Sequence, residues 1–217
     1  MGPIGLLKQA SKILRRTNYR FAVGGGLAAN FYRSDPRLTK DVDLLLLLDT
    51  PAKTQQAAIQ LIKKLKLYPG LAKVSDLKRA PMMNKKGSPV VMVVGRKPEE
   101  PKAGGVDILL PQMKWVPKAL ERAQHNLIDF GFSRLPTITP EDLIIAKTFA
   151  LHDNPSRYTD MDDLQSIFET NLALDLPYLC AQFERHRISL PKNLERTAPK
   201  GLQRISKAQR RLASKKM

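Results

Sequence analysis

The stretch that most constrains this chain runs from Phe21 to Leu48 and reads FAVGGGLAANFYRSDPRLTKDVDLLLLL. It predicts a short apolar strand, a glycine turn, a short helix, a basic turn and a second strand that opens with two aspartates. Because strand side chains alternate between faces, Asp41 and Asp43 project from the same side, roughly 6.6 Å apart along the strand. Carboxylates offer only hard oxygen donors, which suit Mg²⁺ or Mn²⁺. The pattern therefore predicts a site for divalent metal ions.

The turns on either side of the short helix predict contacts with phosphate. Gly24, Gly25 and Gly26 lie between a strand and a helix start, which leaves backbone N–H groups free to meet an anion. Arg37 and Lys40 crowd the approach to the aspartates, and this position favours phosphate contacts over ordinary solvated charges. A metal pair that faces a phosphate cradle is typical of phosphoryl or nucleotidyl transfer.

A third carboxylate is expected from the next pair of strands. Val90 to Val94 and Val106 to Leu110 flank a loop rich in glycine, proline and charge, which predicts a long hairpin. Asp107 lies in the otherwise apolar VDILL run, where an acid is costly to bury unless something neutralises it. A metal shared with Asp41 and Asp43 would do so; an aspartate that merely caps the hairpin is the weaker alternative.

The rest of the chain reads mainly as helices. Leu44 to Leu48 lacks alternation, so that strand should be central and covered on both faces. Lys73 to Arg79 is ambiguous, with an edge strand as the candidate. We expect the N-terminal segment to be an amphipathic helix packed on the sheet rather than a mitochondrial targeting segment. The predicted helices are Met1 to Arg16, Leu27 to Arg33, Pro51 to Leu67, Trp115 to Asp129, Glu141 to His152, Arg157 onward, Tyr178 to His186 and Lys200 to Ala213.

Two helices carry charges that need an explanation. Lys147 is the one lysine or arginine of the apolar helix Glu141 to His152, so it either snorkels to solvent or reaches into a cleft as a point charge for phosphate. Asp160 and Asp163 are one turn apart and share a helix face. Acids in a first turn are otherwise ordinary partners of the helix dipole.

Charge points to a polyanionic partner. The 217 residues carry a formal net charge of +17, and the segment 185–217 holds eleven Lys or Arg against one acid, Glu195. A solubilising tail is the alternative, but beside a phosphate-handling site an RNA-contacting tail is favoured. One cysteine excludes an internal disulfide, and no apolar run reaches the length of a membrane span, so we expect a cytoplasmic protein. The expected RNA contacts are Lys200, Arg204, Lys207, Arg210 and Arg211.

These motifs together resemble a known family. The order Gly25-Gly26, Arg37-x-Thr39-x-Asp41-Val42-Asp43 and a lone strand Asp107 resembles the nucleotidyltransferase superfamily related to DNA polymerase β. Glu141-Asp142-Leu143-Ile144-Ile145-Ala146-Lys147 followed by Arg157-x-x-Asp160-x-x-Asp163-Leu164 looks like the branch typified by the AbiEii toxins of type IV toxin–antitoxin systems. The resemblance covers roughly residues 19 to 168 in ordered pieces.

The resemblance implies a fold, a cofactor and a set of site residues. The fold would be mixed α/β (α+β), a small mixed sheet flanked by helices with a helical C-terminal part. We expect a nucleotidyltransferase core at 1–135, a helical subdomain at 136–184 and a basic, partly helical tail at 185–217. Asp41, Asp43 and Asp107 would be catalytic and bind two Mg²⁺ ions, and the nucleotide would meet Gly25, Gly26, Lys147 and Asp160. Leu27 follows the glycines where many relatives have serine or threonine, so Arg37, Lys40 and Lys147 should hold the triphosphate.

The function expected from these features is transfer of a nucleoside monophosphate from a nucleoside triphosphate to a hydroxyl of RNA, most plausibly tRNA. A toxin of this kind would have a cognate antitoxin as a partner. Two alternatives stay open at this point. One is the same chemistry on a small molecule or a protein, against which the strongly basic charge argues. The other is a degenerate transferase fold that acts only as a nucleic-acid-binding module.

Overall fold

The computed structural model of the chain describes residues 2–17, 19–73, 90–100, 103–170 and 172–214. It divides into two compact units. The first comprises Met1–Ala28 and Arg37–Thr139, and the second comprises Ala29–Pro36 and Pro140–Met217. The three-part domain division expected from the sequence stays a prediction.

The first unit contains a five-stranded mixed sheet within the described residues. The strands are β1 (Arg20–Val23), β2 (Val42–Leu47), β3 (Tyr68–Lys73), β4 (Val90–Arg96) and β5 (Val106–Leu109). The strand order is β1-β2-β5-β4-β3. β2 and β5 are parallel, and the other neighbouring pairs are antiparallel. The expected mixed sheet is therefore confirmed, as is the hairpin of β4 and β5.

The centre of this unit is the leucine run of β2. Leu44, Leu45 and Leu46 are each 1% exposed, which confirms a strand covered on both faces. Helices α1 (Pro3–Arg15), α3 (Pro51–Lys64) and α4 (Val116–Ala123) pack around the sheet, and α1 carries its buried leucines on one face as expected. α3 begins where Thr50 accepts a hydrogen bond from the Lys53 N–H at 3.2 Å.

Two predicted helices of this unit have different bounds. The short helix α2 is Gly25–Ala29 instead of Leu27 to Arg33, because the glycines themselves form its first turn and the Ala28 N–H donates to the Gly24 carbonyl at 3.2 Å. The predicted helix Trp115 to Asp129 ends early at α4, and its last residues form strand β6 (Leu127–Asp129). β6 pairs with β7 (Arg134–Pro136). Gly131 adopts φ +79° in the connecting turn, a conformation that glycine allows.

The second unit is helical in its described residues. It contains α5 (Pro140–Asp153), α6 (Tyr158–Glu169), α7 (Leu176–His186), a 3₁₀ turn (Lys192–Leu194) and α8 (Lys200–Ser214). These helices confirm the predictions for the same stretches.

The two acids in the first turn of α5 have a structural role besides the helix dipole. The N–H of Asp175 donates to the Glu141 carboxylate at 2.9 Å, and the Tyr178 hydroxyl donates to the Asp142 carboxylate at 2.6 Å. Both acids are buried, and these bonds connect the start of α5 to the start of α7.

One sequence prediction lies almost entirely outside the described residues. β3 shares only Lys73 with the candidate edge strand at Lys73 to Arg79, and residues 74–79 are not among those described, so that strand stays a prediction. In the part of the chain that is described, no helix combines the length and the apolar character needed to cross a bilayer.

Candidate active site

The pairing of β2 with β5 brings two of the three expected carboxylates side by side. In the parallel register of these strands, Asp43 lies directly opposite Asp107. Adjacent strands are about 4.8 Å apart, and residues in register project from the same face. One strand pair therefore brings together Asp43 and Asp107, which are more than sixty residues apart in the chain.

Asp41 is fixed at the same end of these two strands. It immediately precedes β2, and its Oδ1 accepts a hydrogen bond from the Gly105 N–H at 2.8 Å. The Val42 N–H donates in turn to the Gly105 carbonyl at 2.9 Å. The chain segment before β5 therefore holds Asp41 at the point where β2 and β5 both begin.

The glycine turn packs directly against Asp43. Gly25 has φ +57°, and a Cβ placed on it would lie 1.7 Å from the Asp43 Oδ2. A Cβ on Gly26 would lie 2.6 Å from the Thr39 Oγ1. Both glycines are thus required by close packing with the segment that carries the aspartates. Their expected approach to a triphosphate stays a prediction.

The two cations of the basic turn differ in exposure. The half-buried Arg37 donates from its guanidinium to the Leu38 carbonyl at 3.2 Å, and a Cβ on Gly26 would come within 3.1 Å of the same guanidinium. Lys40 is exposed, and its backbone carbonyl fits against Gly104, where a Cβ would lie only 1.7 Å away. Arg37 therefore borders the glycine turn, whereas the Lys40 backbone packs on the segment before β5.

Arg96 is a member of this site that the sequence did not reveal. Its guanidinium donates to both carboxylate oxygens of Asp107, at 2.6 and 3.1 Å, and its Nη2 lies 3.6 Å from the Asp41 Oδ1. The hydrogen bond to Asp107 is the main reason that the pKa of Arg96 is raised above its ordinary value, with the charges of Asp41 and Asp43 contributing and partial burial opposing. Arg96 is a permanent cation among three carboxylates.

The strand pairing explains why the sequence did not reveal Arg96. This residue follows the apolar run of β4, and the sequence predicted a loop from Gly95 to Gly105. The register of β4 with β5 puts Val94 opposite Asp107. A side chain two residues further along the same strand then reaches the lone acid diagonally. An arginine at that position in a hairpin is the natural neutraliser of Asp107.

The three carboxylates have the right chemistry to bind a divalent ion. Asp41, Asp43 and Asp107 supply carboxylate oxygens, the ligands that Mg²⁺ and Mn²⁺ prefer. Among the residues that the structure describes, no group of three or more His, Cys, Asp or Glu side chains is arranged to hold an ion. Arg96 is in contact with Asp107 and lies near Asp41.

The second unit contains its own charge cluster around Lys147. This lysine is buried, and its Nζ donates to the Asp160 Oδ1 at 2.7 Å and lies 2.5 Å from the Asp163 Oδ2. Of the two positions considered for Lys147, snorkelling to solvent is therefore wrong. The shared face of Asp160 and Asp163 is confirmed, because one ammonium group binds both carboxylates.

Two arginines complete this cluster. Arg33 forms ion pairs with Asp163 and, at 2.7 Å, with Asp162, while Arg157 forms an ion pair with Asp160. Burial would raise the pKa of Asp160, but the charges and hydrogen bonds of Lys147 and Arg157 outweigh it, and the pKa is lowered. Arg33 was not expected here, since it precedes these acids by about 130 positions. The roles of Lys147 and Asp160 toward a nucleotide stay predictions.

Helix α8 carries the five expected RNA contacts, and one of them, Arg210, makes contacts within the protein. It forms an ion pair with Glu195 and donates to the Leu190 carbonyl at 2.5 Å, and burial lowers its pKa. The other four expected RNA contacts are exposed and follow one another at intervals of four, three and four residues, which places them on one side of the helix. We call these four the α8 basic face: Lys200, Arg204, Lys207 and Arg211.

The fold is that of a nucleotidyltransferase. The antibiotic-resistance factor ANT(2'')-Ia, known from a solution structure, aligns with a TM-score of 0.51 and 12% identity, over 84% of this chain and 91% of that one. An antigenic nucleotidyltransferase-like protein from Paracoccidioides brasiliensis aligns with a TM-score of 0.43 and 20% identity, over 82% and 84%. A putative nucleotidyltransferase from H. pylori aligns with a TM-score of 0.34 and 15% identity, over 98% and 95%.

The family is settled by sequence. The family model for the nucleotidyl transferase AbiEii toxin of type IV toxin–antitoxin systems matches residues 12–216. The chain belongs to the AbiEii nucleotidyltransferase toxin family. Among curated proteins, none matches it.

Proposed function

We propose that this protein transfers a nucleoside monophosphate from a nucleoside triphosphate to a hydroxyl group of RNA, with tRNA as the foremost acceptor, in a reaction that depends on Mg²⁺ or Mn²⁺. The observation that carries the proposal is the meeting of Asp41, Asp43 and Asp107 at the start of two parallel strands. The family supports transferase chemistry, and its type IV toxin–antitoxin context supports a cognate antitoxin as a partner.

The proposed reaction uses the carboxylates as a set. Asp41, Asp43 and Asp107 would hold the divalent ion, which supplies neutralisation of phosphate charge and acidifies a bound hydroxyl. The acceptor hydroxyl oxygen forms a bond to the α-phosphorus, and the bond from that phosphorus to the β-phosphate oxygen breaks, so pyrophosphate leaves. Asp107 would lie beside the attacking hydroxyl and accept its proton. Arg37 and Lys40 would meet the outer phosphates from the basic turn.

The RNA acceptor is supported by charge. A net charge of +17 attracts a polyanion and would repel a small cationic acceptor. The α8 basic face offers four exposed cations on one side of a helix, which suits contacts with successive phosphates. Arg210 is not part of that proposed surface, because it is bound to Glu195.

Transfer is tested by incubating the protein with total RNA and each α-labelled nucleoside triphosphate in turn, with Mg²⁺ present. Label should enter RNA for at least one triphosphate and should be absent with Asp43→Asn, which keeps the side-chain shape but removes the charge. Label in RNA at the same rate with both proteins would refute the role of the carboxylates. Label in a protein or small-molecule fraction would identify a different acceptor.

The RNA surface is tested by salt dependence. Replacing Lys200, Arg204 and Lys207 by glutamine should flatten the plot of log affinity against log salt by about 2 units, at about 0.7 per lost contact with a single strand. The matched control replaces three exposed cations in and directly after α1, namely Lys8, Lys12 and Arg16, by glutamine and removes the same net charge. If both variants changed the slope equally, binding would depend on total charge and not on the α8 basic face.

A nucleic-acid-binding module without catalysis is the second candidate. It is favoured by the ion pair of Arg96 with Asp107, since that cation satisfies a carboxylate a metal would otherwise use. Thermal unfolding in the presence of Mg²⁺ or Mn²⁺ separates the two candidates. A carboxylate cluster that binds the ion is stabilised by it, whereas a pure binding module has the same midpoint with and without it.

A further inference from the structure

The position of Arg96 is built into the fold around it. Both of its Nη atoms contact Asp107, and Nη1 also donates to the Gly95 carbonyl at 3.0 Å. Gly105 provides the space: a Cβ there would lie 2.5 Å from the Arg96 Nη1 and 2.1 Å from the Gly95 carbonyl oxygen. A side chain at position 105 would therefore displace the guanidinium, the backbone or both.

The contacts of Arg96 compete with those of a metal ion. A guanidinium that binds a carboxylate through two parallel N–H bonds uses both of its oxygens. A divalent ion that is bound by Asp107 needs one or both of those same oxygens, and its charge would repel the guanidinium at that distance. Each oxygen keeps a second lone pair, so the competition comes from the repulsion between the two cations at the same carboxylate.

The side chain of Arg96 is partly accessible to solvent. Its side chain is 36% exposed, and that of Asp41, its more distant partner, is 43% exposed. The aliphatic part of an arginine can swing into solvent while the strand stays in place. The side chain of Asp107, at 16% exposed, is the less accessible member of the pair and needs a positive partner in either state.

We propose that Arg96 is a displaceable counter-ion of the catalytic carboxylates, which neutralises Asp107 and Asp41 without metal and must be displaced when a divalent ion binds them. This inference rests on the proposed metal-dependent function and adds its regulation. Arg96 sets the concentration of divalent ion at which the site becomes loaded, so its removal tightens metal binding and at the same time destabilises the metal-free protein.

The test measures Mn²⁺ binding to the full chain by titration calorimetry, with free Mn²⁺ counted by electron paramagnetic resonance. Arg96→Gln should bind Mn²⁺ about tenfold more tightly than the wild type, because it lacks the competing bidentate ion pair. Lys97→Gln is the matched control: it removes one charge at the next position, where Lys97 pairs with Glu100 at 3.6 Å. Its affinity should stay within about twofold of wild type, since only long-range charge changes.

Arg96→Lys keeps the charge but loses the two-pronged contact, and it keeps the inference testable if Arg96→Gln does not fold. Lysine at this position should give an affinity between those of wild type and Arg96→Gln. In thermal unfolding without metal, Arg96→Gln should have a lower midpoint than wild type and should gain more on addition of Mn²⁺.

The outcomes separate this inference from the proposed function. If the wild type binds Mn²⁺ and the Arg96 variants bind it equally or more weakly, the counter-ion role is wrong while the metal site stands. If neither the wild type nor any folded Arg96 variant binds Mn²⁺, the metal site and the counter-ion role are both refuted.

Discussion

Replacement of Lys147 by methionine tests whether the charge cluster of the second unit supports its stability. The substitution keeps most of the length and volume of the side chain and removes one buried cation. The Nζ of Lys147 is 2.7 Å from the Asp160 carboxylate and 2.5 Å from that of Asp163, and both acids are buried. Loss of one partner from a buried ion pair costs about 3 to 5 kcal/mol, because the other charge is left without compensation.

The structure puts the expected cost at the lower end of that range. After the substitution, Asp163 retains its ion pair with Arg33 and Asp160 retains its ion pair with Arg157. We therefore expect Lys147→Met to lower the free energy of unfolding by about 3 kcal/mol. Urea titration followed by far-UV circular dichroism measures this difference, with Lys207→Met on the α8 basic face as a control expected to change it by no more than about 0.5 kcal/mol.

A second variant checks the assignment to this cluster. Asp163→Asn combined with Lys147→Met should cost less than the sum of the two single changes, because each single change already breaks the same ion pair. A cost below about 1 kcal/mol for Lys147→Met would refute the structural role, given what breaking a buried pair costs elsewhere. In that event any loss of transfer in the variant would report on nucleotide contacts alone.

Three further predictions concern single positions. Gly25→Ala should lose Mn²⁺ binding in calorimetry and unfold at a lower temperature, because the new Cβ would lie 1.7 Å from the Asp43 carboxylate and φ is +57°; unchanged binding would refute the packing argument. Gly105→Ala should weaken the contact of Arg96 with Asp107 and lower the melting midpoint of the metal-free protein, and an unchanged midpoint would contradict it. The pKa of Asp160 is lowered in the folded state. Its ionised form therefore stabilises the protein at pH values above the ordinary aspartate pKa of about 3.9. This contribution is lost as the pH falls through the lower pKa of the folded state. The stability difference between wild type and Asp160→Asn, measured by urea unfolding, should therefore be constant near neutral pH and shrink below about pH 4; a difference that grows in acid would contradict the sign.

The features that sequence predicted correctly are local in the chain. Leu44 to Leu46 form an uninterrupted apolar run, and that alone predicts a strand covered on both faces. The Asp-x-Asp spacing predicts two carboxylates at one strand end, and the lone Asp107 predicts a charge that requires a partner. Each of these depends on side-chain periodicity within a few residues.

The features that sequence missed depend on register across the sheet or on long-range contacts. Arg96 reaches Asp107 only because β4 and β5 pair with Val94 opposite Asp107. Arg33 meets Asp163 across about 130 positions. β6 has three residues, which is too short for an alternating pattern to distinguish it from the end of a helix.

The glycine turn illustrates a partial success. The sequence predicted a glycine turn before a helix that starts at Leu27, and in the structure Gly25 and Gly26 form the first turn of α2. The structure adds a second reason for glycine, since a side chain at Gly25 would overlap Asp43. That overlap could not be foreseen, because it depends on where β2 lies beside β1.

The most direct test of nucleotidyl transfer is a paired-label experiment with the triphosphate that the first assay identifies. The protein is incubated with RNA and Mg²⁺, once with the label on the α-phosphate and once with the label on the γ-phosphate. Our account predicts that α-label enters RNA, that γ-label is released as pyrophosphate in equal amount, and that Asp43→Asn abolishes both. Entry of γ-label into RNA, or transfer by Asp43→Asn at the wild-type rate, would contradict it.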